Sequence, residues 1–182
     1  MGQSFNAYTK SAEGKEKVFV LCSKITEHAW RDNAKVAAIA RTLFNDAHQV
    51  YWVGDYAMQT GFPKDLFRKI HHNSDWNNIM DSDEEFPLNG LFLVNETKKQ
   101  FVDCDYYFES MDAMNFESAK GYVLHPLPIL TAVGNGFGGG DYWSEKHMSY
   151  VGSWAGDWIS VTAVHPDDRF EEIEPVFCER AA

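Results

Sequence analysis

The run of apolar residues between positions 17 and 53 constrains this chain more than any other feature. Lys17-Val-Phe-Val-Leu-Cys22 is β-branched and aromatic and reads as a buried strand in the middle of a sheet. From Asp32 to Phe44 the residues Val36, Ala37, Ile39, Ala40, Leu43 and Phe44 recur at helical spacing, while Arg31, Lys35 and Arg41 fall mostly elsewhere on the wheel. That pattern predicts an amphipathic helix, with Asp32 as its N-cap and Asn45-Asp46 as its stop. Gln49-Val-Tyr-Trp-Val53 is a second strand, closed by Gly54-Asp55. The order strand, helix, strand defines an α/β or α+β core.

Downstream, Pro63 opens a helix expected to run to about Ile70, because proline is tolerated in a first turn. Asp75 to Glu85 carries Asp75, Asp81, Asp83, Glu84 and Glu85 and reads as a solvated connection. Leu91-Phe-Leu-Val94 and Gln100-Phe-Val-Asp103 flank Asn95-Glu-Thr-Lys-Lys99 and predict a β-hairpin. Tyr122-Val-Leu124, Pro128 to Ala132 and Trp158 to Val164 supply further strand-like pieces. No Gly/Ser- or Pro-rich linker divides the chain. The expectation is an α+β fold in one domain, 1–182: a mixed or mainly antiparallel sheet, one or two packed helices and a glycine-rich loop. Residues 1–14 and 179–182 are expected to fray.

At 182 residues, with 45% hydrophobic and 15% aromatic content, the chain can bury a core without staples. No apolar run approaches the ~20 residues that cross a bilayer, and the first residues lack the pattern of a signal peptide. A cytoplasmic protein without membrane contact is expected. Cys22, Cys104 and Cys178 are odd in number and widely spaced, which fits reduced, mostly buried thiols rather than disulfides or a zinc site. The net charge of −11, from 27 acidic and 16 basic residues, repels phosphate backbones and argues against ordinary nucleic-acid binding.

The densest chemical signal is His125-Pro-Leu-Pro-Ile-Leu-Thr-Ala-Val-Gly-Asn-Gly-Phe-Gly-Gly-Gly-Asp-Tyr142, with five glycines in the seven positions 134 to 140. Glycines let a backbone reach positive φ and approach a ligand, and successive amides can bind an anion. The loop satisfies G-x-G-x-x-G formally, yet no helix pattern follows it and no Gly-Lys-Ser/Thr ending is present. Candidate ligand-binding residues are His125, Asn135, Gly136, Gly138, Asp141 and Asp157, with His147 and Asp55 as possible companions. A histidine and carboxylates suit acid/base work or a divalent ion, but the spacing identifies neither a metal nor a cofactor and none is assigned. His71-His72 is adjacent rather than one helical turn apart. Ser153, Ser160 and Cys104 are the available nucleophiles, and no recognised motif surrounds them. Phe137, Tyr142, Trp143 and Trp154 are interface candidates if they share an exposed patch.

Three segments, the HPLPILTAVGNGFGGGDY stretch, Val151-Gly-Ser-Trp-Ala-Gly-Asp157 and the hairpin Val94-Asn-Glu-Thr-Lys-Lys-Gln-Phe-Val102, resemble a group of small bacterial and phage proteins. That group shares an HPLPLLTA-type lead, a glycine loop ending in GGGDY and a WAGD element, and its pattern often has Arg where Phe137 stands here. The resemblance implies a common fold centred on the loop and implies no activity.

Three functions follow as expectations. The first is a non-catalytic acidic interaction protein of bacterial or phage origin, such as a toxin-neutralising immunity protein or a phage accessory factor, whose partner is a basic protein. The second is a small enzyme or ligand-binding protein that holds a phosphate-bearing or polar ligand on loop 134–140. The third is a self-assembling structural phage component. The oligomeric state is not legible in the residues.

Overall fold

Phe5–Ser11 (β1) and Glu16–Ser23 (β2) pair antiparallel around a tight turn in which the Gly14 amide donates to the Ser11 carbonyl. The computed structural model describes residues 3–57, 66, 86–114, 122–134, 142–144 and 150–179, with the backbone alone at 142–144, 178 and 179. His48–Gly54 (β3) lies against the other side of β1, then come Phe92–Asn95 (β4), Gln100–Asp103 (β5), Ala132–Val133 (β6), Tyr142–Ser144 (β7), Trp158–Thr162 (β8), Glu171–Glu172 (β9) and Phe177–Glu179 (β10). The main sheet runs β2-β1-β3-β8-β4-β5-β9, with β6 also on β3, while β7 and β10 form a separate pair. The β3–β6 and β5–β9 pairings are parallel and the others antiparallel. The expected α+β class with a mixed sheet in one domain is what the chain adopts.

Several placements differ from the sequence reading. The Lys17–Cys22 run lies in β2 at an edge of the sheet rather than in its middle. Its end is bulged: between Ala7↔Phe19 and Phe5↔Ser23, one residue of β1 faces three of β2. The Asn6 side chain fills the break, its Oδ1 accepting from the Leu21 and Cys22 amides at 2.9 and 3.1 Å. A bulge of this kind twists an edge away from unwanted pairing. The N-terminal stretch expected to fray instead supplies β1, which is hydrogen-bonded on both sides.

Ala34–Thr42 (α1), Cys104–Ala113 (α2) and Pro126–Leu130 (α3) are α-helices, and Ile25–Glu27 is a single 3-10 turn. Asn33, one residue beyond the expected Asp32, caps α1 by accepting from the Lys35 and Val36 amides. The stop falls where expected, with Asn45 in the left-handed region at φ 54°. Asp103, the last residue of β5, caps α2 through the Tyr106 amide.

The Pro128 to Ala132 stretch, expected to be a strand, lies mostly in α3. Here the two prolines decide. They occupy first-turn positions whose amides have no helical partner in any case, so proline costs nothing there. In a ladder each would remove a hydrogen bond. The one remaining early amide, that of Leu127, is satisfied by the His125 ring. Tyr122–Leu124 is likewise no ladder strand: Val123 and Leu124 are bridge residues, Leu124 pairing with Trp30.

All three helices cover one face of the sheet. Val36, Ile39 and Leu43 of α1, Tyr107, Phe108 and Met111 of α2, and Leu127, Ile129 and Leu130 of α3 join Phe5, Ala7, Val50, Trp52, Leu93, Ile159 and Val161 in one core. Each such side chain removed from water contributes roughly 1.5–3 kcal/mol, which makes this layer the main source of stability. On the other face a smaller cluster gathers Tyr8, Val18, Val53 and Ala57, with Leu66 packed against it. Leu66 belongs to the expected 63–70 helix, the rest of which, like the 75–85 connection, lies outside the described residues.

Candidate functional site

The second edge of β3 is divided. Its first half pairs antiparallel with β8 (His48↔Ile159, Gln49↔Trp158) and its second half pairs parallel with β6 (Trp52↔Ala132, Val53↔Val133). The turn 150–157 bridges the division. The Gly156 amide donates to the Val50 carbonyl at 2.8 Å, and the Val50 amide donates to the Asp157 carbonyl at 3.3 Å.

The three segments that carry the resemblance meet here. The Gly152 and Trp154 amides donate to the Ile129 and Leu130 carbonyls at the end of α3, both at 2.8 Å. Trp154 is fully buried, and its indole N–H donates to Gln100 Oε1 in the hairpin at 3.2 Å. Asp157 Oδ2 accepts from Asn95 Nδ2 at 2.8 Å and faces Lys98 Nζ at 3.4 Å. Lys98 Nζ also donates to the Ser153 carbonyl. The same Asn95 shapes its own turn, with Oδ1 accepting from the Thr97 and Lys98 amides. Asp157 and Trp154, nominated as ligand and interface residues, thus form a joint between the hairpin, the 150–157 turn and α3.

His125 lies inside the fold. It is buried as the N-cap of α3, its Nδ1 accepting from Leu127 N–H at 3.1 Å and its ring edge-on to Phe108. Because Nδ1 accepts, the proton sits on Nε2. Burial depresses its pKa to about 3, so the ring is neutral at physiological pH. Asn135, Gly136, Phe137, Gly138, Asp141, His147, His71 and His72 lie outside the described residues, and of Tyr142 and Trp143 only the strand β7 is described. Among the described residues no three His, Cys, Asp or Glu side chains gather as a metal site.

The sequence reading missed a buried polar chain behind β3. Trp52 Nε1 donates to His28 Nε2 at 2.8 Å, and His28 Nδ1 meets Ser23 Oγ at 2.9 Å. The pair resembles a serine–histidine dyad, but the indole N–H occupies Nε2 and forces the proton onto Nδ1. His28 therefore donates to Ser23 and cannot take its proton in this state. Desolvation depresses the His28 pKa to about 3. The other nucleophile candidates are also occupied or shielded. Ser153 Oγ donates to the Tyr150 carbonyl, Ser160 is buried, and burial pushes the Cys104 thiol up to about 12. Cys22, expected to be buried, is exposed.

Two surface features remain. At the C-terminal ends of parallel β3 and β6, a Cβ on Gly54 would meet Gln3 Nε2 at 2.1 Å and one on Gly134 would meet it at 2.4 Å. Both glycines therefore close on the Gln3 side chain, and Gly134 is the first residue of the glycine-rich segment. The next residue after β3, Asp55, has a buried Oδ1 with no hydrogen-bond partner among the described residues.

The second feature is the outer face of α2 and the segment 171–176 beside it. These stretches carry Asp103, Asp105, Glu109, Asp112, Glu171, Glu172 and Glu174 and contain no Lys or Arg. Asp105 accepts from the Gly90 amide, and Asp112 pairs with Arg31 at 3.3 Å, while Glu109, Glu171 and Glu172 are exposed. Between the two stretches lies a groove of about 40 Å³, lined by Asp103, Tyr106, Ser110 and Met114 on one wall and Ile173, Glu174, Pro175 and Val176 on the other.

No family model, curated protein or solved structure matches the chain. Among the described residues, no helix is long and apolar enough to cross a membrane.

Proposed function

We propose that this protein is a non-catalytic interaction protein of the cytoplasm that binds a basic protein partner through the face formed by α2 and residues 171–176. The observation that carries the reading is the charge of that face, seven carboxylates without a lysine or arginine in either stretch. An excess of negative charge, only partly offset by Arg31 on Asp112, attracts an oppositely charged partner, accelerates encounter at low salt and repels acidic competitors. A cationic toxin neutralised by its immunity protein, or a basic phage or host factor, has the required chemistry. The joint at Asn95, Trp154 and Asp157 serves this reading as a scaffold, since it ties the hairpin that leads into α2 to the rest of the sheet.

Native mass spectrometry of the protein isolated at low ionic strength tests the proposal. The expected result is a stoichiometric basic protein that is released by salt and absent from a Glu109→Lys, Glu171→Lys, Glu172→Lys variant. A retained small molecule without any protein, unchanged in that variant, would overturn it.

A second reading is favoured by the ends of β3 and β6. In open sheets ligands bind beyond the C-terminal ends of parallel strands where neighbouring strands diverge. Gly54, Asp55 and Gly134 occupy that position, at the mouth of the glycine-rich segment, and would receive a phosphate-bearing or other polar ligand. Thermal stabilisation by such a ligand, lost on Asp55→Asn, is the outcome this reading requires.

A further inference from the structure

A glycine that follows an asparagine leaves its amide nitrogen unshielded, because no Cβ stands between it and the asparagine side chain. The chain has two such steps, Asn89-Gly90 and Asn135-Gly136, and the second lies outside the described residues. Asn89-Gly90 is exposed at the centre of a β-turn, closed by the Leu91 amide donating to the Leu88 carbonyl at 3.1 Å. With Gly90 at φ 69° and Asn89 at negative φ, the turn is of type II. A Cβ built on Gly90 meets nothing within 4 Å, so the step stands open on that side. Its amide is nevertheless held. The Gly90 N–H donates to both carboxylate oxygens of Asp105, in the first turn of α2, at 3.0 Å each.

We propose that Asn89 is a site of self-modification, deamidation through a cyclic imide, and that Asp105 is its brake. In this reaction the Gly90 nitrogen loses its proton to water and bonds to Asn89 Cγ. The Cγ–Nδ2 bond breaks and Nδ2 leaves as ammonia, taking up a proton. Water then opens the imide: cleavage at Cγ gives aspartate, and cleavage at the Asn89 main-chain carbonyl gives isoaspartate. The sum is an amide and a water converted to a carboxylate and an ammonium ion, with no oxidant, reductant or cofactor. Asp105 opposes the first step twice. Its charge sits on the proton that must leave, and a neighbouring anion disfavours the formation of a second. Its paired hydrogen bonds also fix the Gly90 peptide plane, which must turn toward Asn89 for the ring to close. The products form at a sensitive place. Either one sets a second carboxylate beside Asp105, and isoaspartate also lengthens the main chain by one methylene. Buried Leu88 stands just before the turn and the Cys104 amide donates to the Leu91 carbonyl just after it, at 3.2 Å, so the added length acts on the junction of β4 and α2.

The test incubates the full chain near neutral pH and follows the amide-to-acid mass change at Asn89 by peptide mapping, with Asn135 in the same digest as an internal reference. Asp105→Ala and Asp105→Asn are compared with the native chain; Asp105 is exposed, so neither substitution opens the core. Both variants are expected to convert Asn89 about tenfold faster than the native chain, the factor that corresponds to losing one charge-assisted hydrogen bond, with Asn135 unchanged. The product is expected to contain isoaspartate, and Asn89→Gln is expected to abolish it, because the larger ring closes far more slowly. Equal rates at Asn89 in the native chain and both Asp105 variants would overturn the brake. Acceleration of Asn89 and Asn135 by the same factor would overturn it as well, since a general loosening of the fold would then account for the change. Aspartate without isoaspartate would overturn the cyclic imide. An Asn89 that stays intact in both Asp105 variants, while the urea-unfolded chain converts it, would overturn the site itself.

Discussion

Asn95 Nδ2 donates to Asp157 Oδ2 at 2.8 Å across 62 residues of sequence, and through this bond the tip of the β4–β5 hairpin is fixed to the turn that bridges the divided edge of β3. Asn95 is fully buried and serves both partners at once, since its Oδ1 also closes the hairpin turn.

Asn95→Ala removes the donor to a mostly buried carboxylate and the acceptor for two turn amides. A hydrogen bond to a charged group is worth about 1.5–3 kcal/mol, so a loss of about 2 kcal/mol or more is expected in urea unfolding. Lys98→Met removes a half-exposed charge from the same Asp157 and should cost less than about 1 kcal/mol. The order of the two losses is the test.

Gly156 and Gly14 share φ +80° but differ in surroundings. A Cβ at Gly156 meets Tyr51 Oη at 2.5 Å, whereas one at Gly14 meets nothing within 4 Å. Gly14→Ala should cost about 1–2 kcal/mol from the backbone alone. Gly156→Ala should exceed it, because Tyr51 must also move. Equal losses in thermal or urea melts would remove Tyr51 from the account.

His28 and His125 are neutral in the folded state, with pKa values near 3, while in the unfolded chain they titrate near 6.5. Between these values the unfolded chain binds more protons. Stability is therefore full above about pH 6.5 and falls as pH drops toward 3, by up to about 1.4 kcal/mol per pH unit for each ring. His125→Asn keeps a good N-cap and removes one titration, so it should flatten the slope of stability against pH in this window. A slope unchanged from that of the native chain would contradict the buried neutral ring.

Cys22 and Cys104 should respond differently to iodoacetamide. Cys22 is exposed, whereas Cys104 is buried with its thiol pKa pushed up to about 12. Peptide mapping of the native protein should find Cys22 alkylated and Cys104 modified only after denaturation. Equal modification would mean that β5 and α2 open readily.

The parts of this fold that are legible in the sequence are those fixed by neighbours in the chain. The Asn95 turn, the periodicity of α1 and its stop at Asn45 depend on local chemistry, and all three stand where they were read. The position of β2 at an edge does not, because strand order is set by pairings between distant segments. Pro126 and Pro128 misled for a different reason: the apolar content of the stretch favours a strand, while the cap from His125 and first-turn geometry favour a short helix. Trp154 illustrates the limit for the site. An aromatic residue beside glycines suits a binding surface as well as a core, and only the long-range contact with Gln100 distinguishes them. The α2 groove carried no motif at all, since it arises from a helix and a tail separated in sequence by α3 and by β6, β7 and β8.

Amide hydrogen exchange of the protein with its retained partner tests the central claim most directly. Protection concentrated in residues 103–114 and 171–176, with the amides around Gly54 and Gly134 unchanged, is the predicted result. Protection at Gly54 and Gly134 with the acidic face unaltered would contradict it and place binding at the ends of β3 and β6.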